Sequence, residues 1–480
     1  MSRSDLSIRH RRGILAICCL GLLLISVDNT IVNVALPQLR EELGASLQSL
    51  QWVVGGYVLV LGSCLLLAGS FADRFGRKRI FLAGVVAFTL FSALSAVAPN
   101  ESLLIVFRSA QGAGGAMMTP AALAIIANSY AVPAERARAI GWWGAVSGIG
   151  IAIGPLVGGP LVDAFGWRAV FWINVPVGVI TLALGAAFIP ESKARHPRAL
   201  DPIGQLFVIG LFGFTAFAII QFPTSGVAFD TVGATVLSIT SFIALIRWES
   251  GRREPLVDLE AFRDPPFARS FLTALIAFFA FAGFLFANTF YLQDVIGITA
   301  TQAGLITLPL ALAIIVAGPV SGRLVAAGRS RLALTTGGLG ITLAGVLLVS
   351  MSELPVWFIG VPLLLIGAGF GLLNDPINVV AISDLPPARA GVGAGLMSSA
   401  KQFGQLLGVS VIGALVASAE IASSPNTGST PSSLLIMSAT LICGGTATAI
   451  IAASMRRTKS ETPIDRPLPV AFLRDQRDMP

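Results

Sequence analysis

Four ionisable side chains stand inside long apolar stretches of this 480-residue chain: Asp28, Arg108, Asp375 and Lys401. Charge is costly in hydrocarbon, and where a chain keeps it there the usual uses are proton transfer, ion pairing and contact with a charged substrate. Burial disfavours an ionised carboxylate and a neighbouring guanidinium favours it, so a carboxyl held between those two pulls can take up and release a proton. Asp28 lies nine residues before Pro37, ~13 Å in from one end of its run at ~1.5 Å per residue. Arg108 lies eight residues after Asn100, ~12 Å in from the same surface. Asp375 precedes Asp384 by nine residues and Lys401 follows Gly391 by ten, ~13 Å and ~15 Å in from the opposite surface. Equal depth on consecutive runs predicts an Asp375–Lys401 pair serving substrate or proton transfer, with snorkelling at a helix end as the plainer reading. Asp28 is expected to couple protons or contact substrate and Arg108 to take part in coupling or to support the site structurally, with a static ion pair as the plainer reading.

Uncharged polar residues in the same runs, Asn33, Gln111, Asn288, Gln402 and Gln405, are candidates to line a cavity. Phe281, Phe284, Phe286, Phe290 and Met397 would give it an apolar, polarisable wall suited to lipophilic cations. Other chemistries find no support. Cys18, Cys19, Cys64 and Cys443 lie in apolar stretches without metal-ligand spacing and read as packing residues. His10 and His196 sit in basic segments and read as surface residues. No metal and no cofactor is expected, and no intramembrane His/Asp/Glu cluster or Ser/His pair suggests an enzyme.

What must position these residues follows from composition. The chain is 55% hydrophobic and only 12% charged, with mean hydropathy +0.82. A soluble chain of this length needs about twice that charge to cover its surface. A soluble enzyme, a nucleic-acid-binding domain and a disordered chain are thereby excluded. Runs of about 20 apolar residues, enough to cross a bilayer, number fourteen: 13–37, 49–71, 80–98, 102–129, 139–162, 168–190, 203–222, 230–248, 270–293, 302–322, 332–351, 355–382, 392–418 and 433–455. The first is too long for a signal peptide and lacks a convincing cleavage site, so it reads as an uncleaved helix. If the amino terminus is cytoplasmic, and Arg168 and Arg247 at span ends are counted with the adjoining loops, 28 of the 32 Lys and Arg fall in cytoplasmic segments, two (Arg40 and Arg168) in outer loops and two inside spans. That asymmetry predicts a multi-pass protein of the bacterial cytoplasmic membrane with both termini inside. It also turns the net charge of +7 into a topology signal, with no nucleic acid among the expected partners.

The chain repeats itself. "GAGGAMMTPAALAIIANSYAVPAERARAIG" (112–141) resembles "GAGFGLLNDPINVVAISDLPPARAGVGAG" (367–395), and "AGSFADR" (68–74) resembles "AGPVSGR" (317–323). Both pairs are about 250 residues apart, which predicts a duplicated bundle of the transporter kind. The expected layout is a cytoplasmic tail over 1–12, a six-helix bundle over 13–190, two inserted helices with long basic loops over 191–269, a second six-helix bundle over 270–455 and a tail over 456–480.

Four further stretches carry motifs: "VDNTIVNVALP" (27–37), "GSFADRFGRKR" (69–79), "FRSAQGAG" (107–114) and "GIAIGPLVGG" (150–159). In the second, Gly69 allows helices to approach and Gly76 a tight turn. Asp73 and Arg74 supply charges that can pair across helix ends, while Arg77, Lys78 and Arg79 anchor the basic face. In the fourth, Gly150, Gly154 and Gly158 recur every four residues as one smooth helix face with Gly159 beside it, and Pro155 permits a bend. Close helix packing is all these residues do as chemistry.

Together with "WRAVFWINVPVG" (167–178) and "YLQDVIGITATQAGLITLP" (291–309), these motifs closely resemble the major facilitator superfamily. Within it they are similar to the fourteen-span drug/proton antiporters that export drugs and quaternary ammonium compounds. The resemblance implies an all-α fold of two six-helix bundles plus two inserted helices, with the first and fourth spans packed together so that Asp28 and Arg108 can meet. It implies that the 69–79 loop gates the transporter by bridging the two halves, and that Gly-Pro in the fifth span marks exporters. In the second copy of the loop Gly322 stands where Asp73 stands in the first, which argues against a symmetric gate. The duplicated copy likewise has Thr119 where the second half has Asp375.

The function so implied is proton-coupled export of lipophilic, cationic drugs or toxic compounds by alternating access. Its partners would be a small-molecule substrate, protons and membrane lipid, and the protein would act as a monomer. The alternatives are a dedicated exporter of a single metabolite or self-made antibiotic and, in a different class, a transport-dead membrane sensor.

Overall fold

In a computed structural model the described residues are 8–194, 200–252, 255–350, 355–383, 385–422 and 432–455. His196, residues 1–7 of the amino-terminal tail and the whole 456–480 tail lie outside them. Among the described residues fourteen helices long and apolar enough to cross a membrane succeed one another. We number them α1 (Ile8–Leu43), α2 (Leu47–Phe75), α3 (Arg77–Ala96), α4 (Glu101–Ser129), α5 (Arg138–Phe165), α6 (Ala169–Phe188), α7 (Pro202–Ser225), α8 (Phe229–Ser250), α9 (Pro265–Val295), α10 (Ala300–Ala326), α11 (Ser330–Ser350), α12 (Trp357–Ser383), α13 (Gly391–Ala419) and α14 (Ser432–Ser454). Among the described residues there is no strand. An even number of crossings puts the start of α1 and the end of α14 on one side, called the terminal face below; the other is the far face.

The helices outrun the apolar stretches, as α1 does at both ends of 13–37, because a helix stops at a cap and not at the membrane boundary. Ser46 accepts from Ser49 N at 3.1 Å to start α2, and Asn100 accepts from Leu103 N at 2.9 Å to start α4. Asp201 does the same for Gly204 N, with Pro202 in the first turn of α7. Between α2 and α3, Gly76 takes φ 122°. A Cβ there would lie 2.7 Å from the Glu191 carboxylate, so only glycine turns this corner.

The predicted duplication is visible in the packing. On the first side, Gly84 of α3 and Gly114 of α4 face each other so closely that a Cβ on either would lie 2.8 to 2.9 Å from the other's carbonyl oxygen. On the second, Gly337 of α11 and Gly369 of α12 repeat this at 2.8 and 2.6 Å. Gly112 likewise presses on the Tyr57 carbonyl of α2, as Gly367 presses on that of Leu310 in α10. The glycines of the two sequence copies therefore do the same work in equivalent helix pairs, letting backbones approach where lipid offers no hydrophobic gain.

Helices α1–α6 form one bundle and α9–α14 the other. The inserted α7 and α8 pack on each other, and α7 lies across the seam between the bundles: Gln205 Nε2 donates to Ser63 O of α2 at 2.6 Å, and Phe212 stacks on Phe403 of α13. The outer surfaces of α8 expose Val236, Ile239 and Phe242 at 49 to 55%, an apolar skin that water would not tolerate and lipid does.

Candidate functional site

Asp28 is fully buried and Arg108 is 1% exposed. Arg108 Nη1 donates to Asp28 Oδ2 at 2.6 Å and to Gln111 Oε1 at 2.8 Å. Gln111 Nε2 and Asn174 Nδ2 donate to Asp28 Oδ1 at 2.9 and 2.8 Å. Asn174 also donates to Ser92 Oγ at 3.1 Å, and Ser92 donates to Phe171 O at 2.8 Å. The guanidinium carbon lies 4.2 Å from the centre of the Tyr57 ring, a cation–π contact that holds the charge on its second side. The site joins α1, α2, α3, α4 and α6 around one carboxylate. A buried pair is tolerated when its remaining lone pairs are hydrogen-bonded, and here Gln111 and Asn174 supply that. Asn174 is a member the sequence reading missed; its signal was an asparagine within the quoted 167–178 stretch.

The network lies wholly in the first bundle. Two voids of about 20 Å³ each lie between the bundles, and their walls carry no charged residue. Both touch Thr30 and Asn33; one adds Asn29, Phe281 and Gln405, the other Asn288, Thr289 and Thr307. Asn33, Asn288 and Gln405 thus stand where a cavity-lining role requires, and Asn29 and Thr30 join them unforeseen. Asn29 Nδ2 donates to Gln405 Oε1 at 3.1 Å, linking α1 to α13 across the seam, while Asn288 Oδ1 is buried without a partner. Asp28 and Gln111, expected to contact substrate, do not line these voids. One residue along α1 turns the side chain by about 100°, from the α4 side to the central side. Gln402 packs against Gly62 of α2 and also stands off the voids. Of the expected aromatic wall, Phe281 borders a void; Phe284, Phe286, Phe290 and Met397 are packing residues of the core.

The expected Asp375–Lys401 ion pair is not formed. Lys401 Nζ donates instead to Asn374 Oδ1 at 2.7 Å and lies 5.4 Å from the centre of the Phe278 ring. Asp375 turns toward α10, its Oδ2 3.9 Å from where a Cβ on Gly322 would stand. Neighbouring positions on one helix point about 100° apart, so equal depth left the two charges within electrostatic reach of each other but not in contact.

The 69–79 loop is held inside the first bundle. Arg77 donates to Asp73 Oδ1 at 2.8 and 3.1 Å. The backbone N–H groups of Lys78 and Arg79 donate to the Glu191 carboxylate at 3.1 and 3.2 Å, capping α3. Arg74 is exposed and Gly69 sits over Pro120 of α4. Among the described residues this loop makes no bridge to the second half of the kind the resemblance implies, whereas on the far face the halves do meet. There Gln293 Nε2 donates to Val34 O at 3.1 Å, Gln51 Nε2 to Ser410 O at 2.9 Å, and Arg40 lies 3.9 Å from Asp294.

On α5, Gly150, Gly154 and Gly158 seat Ser26, Thr30 and Ile31 of α1, as a smooth face should. Gly159 points elsewhere, against the backbone of Ala300 and Thr301 in α10, and the Pro155 carbonyl meets Gly304. Among the described residues no group of three or more His, Cys, Asp or Glu is placed to hold a metal ion.

Comparison with known proteins agrees with this architecture. Residues 18–409 match the model of the Major Facilitator Superfamily. The chain is 36% identical over 402 residues to the multidrug resistance protein Stp of Mycobacterium tuberculosis, covering 83% of this chain and 74% of that one. It is 35% identical over 412 residues to the tetracenomycin C resistance and export protein of Streptomyces glaucescens, covering 83% and 74%. It is 32% identical to the methylenomycin A resistance protein of Streptomyces coelicolor, covering 82% and 84%. Among solved structures, the peptide transporter POT in complex with sulfate superposes with TM-score 0.65 at 16% identity, covering 92% and 93%, and the xylose transporter XylE from E. coli with 0.62 at 14%, covering 94% and 99%. The chain belongs to the major facilitator superfamily, with the fourteen spans of its drug/proton antiporter type.

Proposed function

We propose that this protein exports lipophilic, cationic compounds from the bacterial cytoplasm across the inner membrane in exchange for protons, by alternating access of two bundles. The observation that carries the reading is the Asp28–Arg108 pair, 2.6 Å apart and sealed inside the membrane. A proton on Asp28 cancels its attraction for Arg108 and changes which of Gln111 and Asn174 it can accept from. The same helix presents Asn29, Thr30 and Asn33 to the central voids one turn away, so loosening α1 from α4 reaches the substrate side directly. Void walls of amide oxygens and Phe281, without a basic side chain, suit a cation with apolar bulk. Export, as opposed to uptake, is supported by relatives named for resistance and export. With both termini cytoplasmic, as the distribution of Lys and Arg supports, the far face is the outer one and the structure is closed outward. The protein is read as a functional monomer of two bundles with the inserted pair at their seam.

The test is ethidium efflux in everted vesicles with the pH gradient followed in parallel. Wild type should dissipate the gradient on dye addition and Asp28→Asn should not. Equal behaviour of the two would move coupling away from Asp28. A wild type that neither moves dye nor disturbs the gradient would favour an exporter of a single metabolite or antibiotic.

A further inference from the structure

The fourth glycine of the α5 motif opens a second face of that helix, and one turn further on the same face stands Asp163. Its carboxylate reaches out of the first bundle: Oδ1 accepts from Ala300 N at 3.2 Å and Oδ2 from Thr301 N at 2.8 Å. These are first-turn N–H groups of α10, which have no partner within their own helix. The other two are met locally, Gln302 N by Thr299 Oγ1 at 3.3 Å and Thr299 N by Gln302 Oε1 at 3.1 Å. Half of the start of α10 is therefore capped by its own chain segment and half by the opposite bundle. The approach depends on Gly159, since a Cβ there would lie 2.5 Å from Ala300 O.

We propose that Asp163 is a gating residue, a latch that holds the far face closed by capping α10 from the other bundle. The motif on α5 is then two-sided: Gly150, Gly154 and Gly158 bind α1 permanently within the bundle, while Pro155, Gly159 and Asp163 form a contact that must part whenever the far face opens. Parting it leaves two N–H groups to water, so the latch biases the equilibrium without locking it, as suits a carboxylate exposed at the rim. The latch rests on the alternating-access reading but not on proton coupling or on substrate identity.

The test places a reporter behind the latch. Ala303 is 4% exposed and borders one of the central voids. In a variant with its four cysteines replaced, Ala303→Cys in intact cells is reached by a membrane-impermeant maleimide only when the far face opens. Removing the latch with Asp163→Ala should raise the labelling rate about fivefold, the size of a lost side-chain cap. Asp163→Asn, which keeps one acceptor, should fall between, and Asp163→Glu should stay near the parent rate. Gly159→Leu, which forces α5 from α10, should label at least as fast as Asp163→Ala. The proposal is overturned if Asp163→Ala labels at the parent rate, whether Gly159→Leu accelerates labelling (the seam opens but Asp163 does not hold it) or does not (the seam is not the gate). Size exclusion of each variant checks folding, and Asp163→Asn carries the same test if the alanine variant does not fold. Labelling needs neither substrate nor gradient, so its outcome is separate from that of the dye-efflux experiment.

Discussion

Asp28 and Arg108, 80 residues apart in the chain, meet at 2.6 Å inside the first bundle, while the next residue, Asn29, reaches across to Gln405 of the second. Adjacent positions on α1 thus serve an internal charge network and the seam between the bundles. That adjacency gives a physical route from the protonation of one group to the packing of the other.

Removing one partner of the pair should be worse than removing its charge. Arg108→Ala leaves Asp28 buried without its counter-ion and should lower unfolding stability by ~3–5 kcal/mol. Arg108→Lys should not restore it, because Nη1 serves both Asp28 and Gln111 and the planar group stacks on Tyr57. Thermal unfolding of purified protein in detergent checks both.

Asn174→Ala removes a donor to a buried carboxylate and should cost about 1.5–3 kcal/mol. Asp28→Asn in the same background should recover part of that loss, since the neutral amide needs the donor less. A double-mutant cycle on melting temperature measures the coupling; strict additivity would show that Asn174 acts elsewhere.

The glycine face of α5 predicts a graded steric series. A Cβ at Gly154 would lie 3.0 Å from Ile31 N and on top of the Thr30 hydroxyl, whereas one at Gly148 would lie 3.6 Å from Ile314 Cγ2. Gly154→Ala should destabilise by about 1–3 kcal/mol and reduce efflux, while Gly148→Ala should be nearly neutral. Thermal shift and dye efflux in cells separate the two.

Across the seam, Asn29→Ala and Gln405→Ala each break the same hydrogen bond. Each alone should alter the efflux rate several-fold, and the double variant should be no worse than the more damaged single one. Additive loss would mean the two amides act independently on substrate.

Much of this was legible in the sequence, because membrane helices announce themselves by length and apolarity. All fourteen spans, the repeat and the burial of Asp28 near Arg108 follow from runs, spacing and depth. Depth is one coordinate only, however. It placed Asp375 and Lys401 at one level but could not say whether their side chains would touch, and Lys401 found Asn374 instead. It likewise gave no sign that Asp28 and Gln111 point away from the central voids while Asn29 and Thr30 point into them. Asn174 and Asp163 were hidden for another reason: each acts on a group distant in sequence, Asp28 in one case and the start of α10 in the other. Asn174 does so from within a quoted motif, and Asp163 from just beyond one, so only the packing of α6 on α1 and of α5 on α10 reveals their partners.

The most direct test of the central claim is proton release from purified protein in weakly buffered detergent when a lipophilic cation such as ethidium is added. If Asp28 exchanges its proton for substrate, wild type should acidify the solution on binding and Asp28→Asn should bind dye without acidification. Equal acidification by both proteins, or dye binding by wild type with none, would contradict proton coupling through Asp28.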